Sequence, residues 1–257
     1  MVMMNQVKSP TEVQRLRLSG GILAEVLRRL EKALEPGQTT GYLADIADRE
    51  LLALGGKPTF LGYSPERGVK PFPSSICISV NDEVVHGIPG AREILEGDLV
   101  GLDFGVNYEG MMTDGAITVV AGAKPTAAQK RLLDATKQAL ELGIAQVKTG
   151  VRIGDISHAI ESRLRRDKLS IIEELSGHGV GHQVHEDPLI LNYGRAGTGM
   201  RLLNGMSIAI EPMATLGGRH ITVAEDGWTI KTRDGSLGAQ FEHTVLVIDD
   251  GFEIVTL

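Results

Sequence analysis

The same punctuation occurs twice in this chain and fixes much of what it can fold into. Ser9-Pro10-Thr11-Glu12 reads as a helix start. Ser9 is the N-cap, Pro10 takes the first helical position, where its missing N–H is no loss, and Glu12 closes a capping box. Val13, Leu16, Ile22, Leu23, Val26, Leu27, Leu30 and Leu34 then recur at helical spacing until Glu35-Pro36-Gly37 ends the run. A shorter helix is predicted from about Thr40 to Leu54, stopped by Gly55-Gly56. Thr126-Ala127-Ala128-Gln129 opens a second long helix, predicted to run to Lys148 and to stop at Thr149-Gly150, and again a shorter one follows, from about Ile153 to Asp167. The two stops, Gly37 and Gly150, lie 113 positions apart. The chain therefore reads as two halves of one plan, about residues 9–120 and 126–250.

Each helix pair is followed by segments rich in Val, Ile and Thr: Ser75 to Val80 and Val100 to Val120, then Ser207 to Thr215, His220 to Ala224 and Ala239 to Ile248. Helices grouped apart from strands predict an α+β fold with a mainly antiparallel sheet, not the strand-helix alternation of a parallel one. No linker or low-complexity tract divides the halves, and 257 residues lie within the range of single domains. One domain spanning 1–257, with a sheet shared by both halves, is expected.

Hydrophobic residues at 42% and charged residues at 23% describe a folded soluble chain and exclude wholesale disorder. The net charge of −7, without any run of five Lys or Arg, argues against a nucleic-acid partner. Cys77 is the only cysteine, which rules out an internal disulfide and a multi-cysteine zinc module and fits a reducing compartment. The N-terminal MVMMNQVKSPTEVQRL becomes charged before any apolar stretch of signal-peptide length, and no apolar run approaches the roughly 18 residues of a membrane span. The expected location is the cytoplasm, with no membrane partner.

Against this ordinary background, acids stand where strands should be apolar. Residues 100–120, VGLDFGVNYEGMMTDGAITVV, read as a hairpin turning at Asn107 to Gly110, which sets Asp103 opposite Asp114. Aspartate is depleted from strands, and like charges facing across a ladder are destabilising unless a cation neutralises them. A solvated sheet face, or two carboxyls sharing a proton, are the alternatives for that pair alone. Glu211 ends the apolar run Met206 to Ile210, and Glu242 lies within Ala239 to Val247. A buried carboxylate needs a metal or an arginine partner. The stretch from Gly177 to Pro188, GHGVGHQVHEDP, holds three histidines. His178 and His182 have helical i, i+4 spacing, but Gly179 and Gly181 predict a tight loop or strand, in which glycines admit a metal or substrate close to the backbone. His178 is the candidate ligand there, and His182 is read as structural.

Asp103, Asp114, His178, Glu211 and Glu242 form a hard, oxygen-rich set suited to two divalent ions, Co, Mn, Fe or Zn, bridged by shared carboxylates. Two such Lewis acids hold a water as hydroxide at neutral pH and stabilise the oxyanion formed when it attacks a carbonyl, so the expected chemistry is hydrolysis.

VVHGIPG around His86, the Asp103/Asp114 hairpin, GHGVGHQVHEDP, IAIEPM around Glu211 and DGWTIKTRDGSLGAQFEHTVLV from Asp226 to Val247 occur in that order. Together, over nearly the whole chain, they resemble the type I methionine aminopeptidases of the pita-bread (creatinase/aminopeptidase) metallopeptidase fold. The resemblance implies a pseudo-twofold curved sheet covered by helix pairs. It also implies removal of the initiator methionine from nascent polypeptides, near the ribosome, by a monomer. The five ligands carry over as named, with Glu211 also handling a proton of the attacking water. His185 matches a residue contacting the substrate peptide bond, and His86 one near its amide nitrogen or the departing chain. Tyr63, Phe72, Cys77, Val184 and Trp228 resemble the lining of a methionine pocket. The chain departs from the pattern at residues 63–73, YSPERGVKPFP, where relatives have a short Tyr-His-Gly-aromatic-Pro stretch; Phe60 stands where Cys is frequent and Val184 where Phe is. Two other readings share the fold. An Xaa-Pro peptidase uses the same ligand types but usually carries an extra N-terminal domain, and a metal-free binding protein lacks some of the ligands.

Overall fold

The computed structural model describes residues 7–66 and 68–257. The first six residues of the N-terminal stretch and Arg67 of the 64–71 insertion lie outside the described residues. Both helix starts form as expected. Glu12 Oε2 accepts from Ser9 N at 2.8 Å, and α1 runs Pro10–Ala33. Gln129 Oε1 accepts from Thr126 N at 2.9 Å, and α3 runs Ala127–Ile144. Between and after them lie α2, Thr40–Ala53, and α4, Ile153–Arg166. The end of α3 falls short of Lys148, because Gln146 N and Val147 N bond to the carbonyls of Gly143 and Ile144 in tighter i→i−3 turns that close the helix early.

The first half contributes β1 (Lys57–Pro58), β2 (Ile76–Val80), β3 (Glu83–Val85), β4 (Leu99–Tyr108) and β5 (Met111–Val120). The second contributes β6 (Ser170–Ile171), β7 (Ser176–Gly179), β8 (Glu186–Leu191), β9 (Ser207–Ile210), β10 (Met213–Thr215), β11 (Ile221–Val223), β12 (Ile230–Thr232), β13 (Gly238–Gln240), β14 (Glu242–Ile248) and β15 (Gly251–Ile254). One sheet runs β1-β4-β5-β14-β9-β7-β8, with β2 on β4 and β15 on β14, so the halves join at the antiparallel β5/β14 pair. Both halves contribute to this antiparallel sheet, as expected of the α+β fold read from the sequence.

Period-two alternation divides the sheet into two faces. Val100, Leu102, Phe104 and Val106 of β4 pack with Leu23, Val26, Leu27 and Leu30 of α1 and Leu43 and Ile46 of α2 in one apolar cluster. Val245 and Val247 of β14 pack with Leu132 and Leu140 of α3 and Ile156 and Ile160 of α4 in another. Both helix pairs thus occupy one face, and the intervening positions, Asp103 and Glu242 among them, face the other.

The hairpin register differs from the expectation by two residues. Its turn is the two-residue Glu109-Gly110, with φ of 48° and 89°, the left-handed geometry whose twist matches the flanking strands. Tyr108 therefore pairs with Met111, Asp103 with Ala116, and Asp114 with Gly105. A shift of two leaves every side chain on its expected face, so the aspartates become diagonal neighbours on one surface.

Two segments expected as single strands are each broken. The 207–215 run leaves the large sheet at Glu211-Pro212 and resumes as β10, and the 239–248 run breaks at Phe241 between β13 and β14. β13, β10 and β6 form a separate three-stranded sheet. Both glutamates therefore sit where the chain passes from one sheet to the next.

Candidate metal centre

Ala116 is paired with Asp103 on one side and Glu242 on the other, so a methyl group separates two strand acids and leaves room above it. Asp114 lies two residues back on the same face. His178 arrives from β7, where it pairs with Ala209 of β9. Its predecessor must be glycine: a Cβ on Gly177 would lie 2.3 Å from the Ala209 carbonyl oxygen. Glu211 follows β9 and is steadied by Asn192 Nδ2, which donates to its backbone carbonyl at 3.0 Å.

The five side chains converge. One ligand atom each from Asp103, Asp114 and Glu242, from His178, Glu211 and Glu242, and from Asp114, His178 and His185 lie within 4.8 Å of one another. His178 Nε2 is 3.4 Å from Glu211 Oε1 and 4.0 Å from Asp114 Oδ2. All five are buried.

This arrangement is electrostatically incomplete as a purely protein structure. Among the described residues no lysine or arginine pairs with any of the four carboxylates, and Asp103 Oδ1 and Glu242 Oε1 are buried without a hydrogen-bond partner. Burial pushes Asp103 up to about 7. Burial, reinforced by the neighbouring acids, drives Asp114, Glu211 and Glu242 well above the ordinary carboxyl range. His178 Nδ1 donates to the Gly179 carbonyl at 2.9 Å, which leaves Nε2 as a bare lone pair aimed at carboxylate oxygens. Burial lowers the same ring to about 4, so it stays neutral. Orphaned oxygens, clustered acids and an outward lone pair are what a set of cation ligands requires, and the residues fit divalent metal.

Beside the acids lies a cavity of about 280 Å³. Its walls include Tyr63, Phe72, Cys77, His86, His185 and Trp228, all expected there, together with Phe60 and Pro65. Val184 is buried in the same apolar cluster as Phe60, Phe72 and Cys77 without forming part of the cavity wall. His185 Nδ1 is 2.8 Å from the Tyr63 hydroxyl, and its ring meets that of His178 edge-on at 4.4 Å between centroids. Burial and the two neighbouring histidines pull His185 down to about 2. His86 holds φ at 59°, unusual for a non-glycine residue, and burial lowers it to about 4. Trp228 Nε1 donates to the Lys70 carbonyl at 2.9 Å, tying the cavity to the 64–71 insertion.

His158, His220 and His243 take no part. His158 contacts Ser162 on α4, and His243 contacts Thr256. His182, expected to be structural, has Nε2 2.9 Å from Glu12 Oε1. One participant escaped the sequence reading: Gln240 Nε2 donates to Glu211 Oε2 at 3.2 Å and to Glu242 Oε2 at 3.4 Å. Its only trace in the sequence is a buried-type strand position occupied by an amide two residues before Glu242.

Buried carboxylates gathered at one point, imidazoles beside them and a mostly apolar slot adjoining both are the makings of a metal-dependent hydrolase with the pita-bread architecture. The model of metallopeptidase family M24 matches residues 14–249. A methionine aminopeptidase of Aquifex aeolicus is 42% identical over 98% of both chains, and methionine aminopeptidase 1 of Bacillus subtilis is 41% identical over 97% of this chain and 98% of its own. The crystal structure of the methionine aminopeptidase of Thermotoga maritima superposes with a TM-score of 0.94 at 39% identity, covering 98% of this chain and 99% of that one. The chain belongs to metallopeptidase family M24. Among the described residues no helix is long and apolar enough to cross a membrane.

Proposed function

We propose that the chain removes the N-terminal methionine from nascent polypeptides whose second residue is small, using two divalent metal ions. Asp103, Asp114, His178, Glu211 and Glu242 would hold them. The observation that carries this reading is the convergence of four buried acids and an unprotonated imidazole nitrogen, with orphaned oxygens among them, on one side of a cavity whose other walls are mostly apolar. The bound ions, Co, Mn, Fe or Zn, supply Lewis acidity that makes water nucleophilic at neutral pH and draws charge off the scissile carbonyl.

The chain's own residues do the rest. The cavity walls of Phe60, Phe72, Cys77 and Trp228 take up the unbranched thioether side chain and exclude water around it. The Glu211 carboxylate receives the proton of the attacking water. His185 Nδ1 lies 2.8 Å from the Tyr63 hydroxyl; with that hydroxyl as donor, the ring would present Nε2–H to the carbonyl oxygen that becomes the oxyanion. His86 faces the amide nitrogen and the departing chain. Gln240, donating to both glutamates, holds their carboxylates in register. The enzyme would work as a single cytoplasmic domain and as a monomer, near the ribosome, without contact to nucleic acid. The test is release of the free N-terminal residue, methionine from Met-Ala-Ser and Met-Leu-Ser or glycine from Gly-Pro-Ser, with and without chelator. Cleavage of the first alone, abolished by chelator, is expected; cleavage of Gly-Pro-Ser in its place would point to a proline-directed peptidase.

A further inference from the structure

The segment leading into α1 is tied twice to the loop that carries His185. Lys8 Nζ lies 3.4 Å from Glu186 Oε2, with both side chains shut off from solvent. Four residues on, Glu12 uses Oε2 to cap α1 and Oε1 to reach His182 Nε2 at 2.9 Å. Glu186 in turn folds the loop on itself, Oε1 accepting from His182 N at 2.6 Å and Gln183 N at 2.9 Å. The lysine reaches this position only because residue 181 is glycine. A Cβ there would stand 2.4 Å from Lys8 Cε and 2.8 Å from Nζ, and the backbone holds φ at 145°. Lys8 is itself anchored, its N–H donating to the Gly205 carbonyl at 2.8 Å.

A buried ion pair is a poor way to gain stability, since desolvating each charge costs about as much as their attraction returns, and an apolar pair of equal volume does as well. Burial pulls the Lys8 ammonium below its ordinary pKa against the opposing pull of Glu186, which is the same cost in another form. What such a pair does supply is fixed geometry. The five residues it closes, 182–186, deliver Val184 to the pocket cluster and His185 to the cavity, where the ring is set between Tyr63 and His178.

We propose that Lys8 is a positioning residue for catalysis: its buried contact with Glu186 locks the 182–186 loop and so aims His185 at the scissile peptide. This rests on the reading above that His185 contacts substrate. The test is a double-mutant cycle on the full-length, metal-loaded protein, measuring kcat and KM for Met-Ala-Ser per metal-loaded chain. Lys8→Met is expected to lower kcat about tenfold, as a displaced catalytic group does. In a His185→Ala background, where there is no ring left to aim, the same substitution changes kcat by less than about twofold. A merely structural lysine would cost the same factor in both backgrounds, and that result, or a Lys8→Met kcat within about twofold of the parent, overturns the proposal. If His185→Ala alone leaves kcat intact, the reading of His185 fails and takes the proposal with it, a distinct outcome. Should Lys8→Met not fold, Lys8→Met/Glu186→Gln removes the stranded charge, keeps an oxygen for the two loop N–H groups, and is put through the same cycle with the same criteria.

Discussion

Asp103→Asn separates what the site costs from what it does. In the metal-free protein burial raises the Asp103 carboxyl from 3.8 to about 7. Between those values the folded state holds a proton that the unfolded state has released, so folding stability is full below the unfolded value and falls as pH rises toward 7. The loss levels off above that at roughly 4 kcal/mol, at about 1.4 kcal/mol for each unit between the two values. Asparagine has the same shape and no charge, and in chelator at pH 8 it should recover that loss. For a chain of this size the variant would melt roughly 10 °C above the parent. Below about pH 4 the two proteins should melt together, because the parent side chain keeps its proton in both states. Turnover with added metal should be abolished throughout. Thermal melts of both proteins at pH 4 and pH 8 in chelator decide the matter. An Asn variant no more stable than the parent at pH 8, or equally stabilised at both, would refute the argument that the acids are held at a cost that only cations relieve.

Other outcomes follow from the same geometry. Gln240→Leu removes the amide shared by Glu211 and Glu242, and competition with a fluorescent chelator should show metal affinity weakened about 10- to 100-fold, with the fold intact by circular dichroism. Because Asp114, Glu211 and Glu242 also hold protons above the ordinary carboxyl range, metal must displace them. Affinity should rise from pH 5 to pH 8, and calorimetry in buffers of different ionisation heat should detect proton release. Thr126→Ala removes the cap of α3, far from the acids, and should cost about 1 kcal/mol in urea unfolding while leaving kcat unchanged.

Local rules were legible in the sequence wherever one residue acts on its near neighbours. Ser9 and Glu12, or Thr126 and Gln129, announce their helices because a cap is satisfied within three residues. The four acids and the imidazole were legible for the opposite reason: each contradicts its own segment, and only a cation reconciles them. The hairpin register was missed because Asn107, Glu109 and Gly110 support more than one turn, and the left-handed pair at Glu109-Gly110 is decided by strand twist. The face assignment survived because a shift of two preserves side-chain parity. The breaks at Glu211-Pro212 and Phe241 depend on sheets that meet only in three dimensions. The Lys8–Glu186 contact, across 178 positions, has no local trace at all.

The central claim is that cations held by these buried acids carry the reaction. Its most direct test is to titrate metal-free protein with Mn or Co while following methionine release from Met-Ala-Ser. The account predicts no turnover at the start, a rise that saturates as the site fills, and reversal by chelator. Full turnover by the metal-free protein in excess chelator would contradict it.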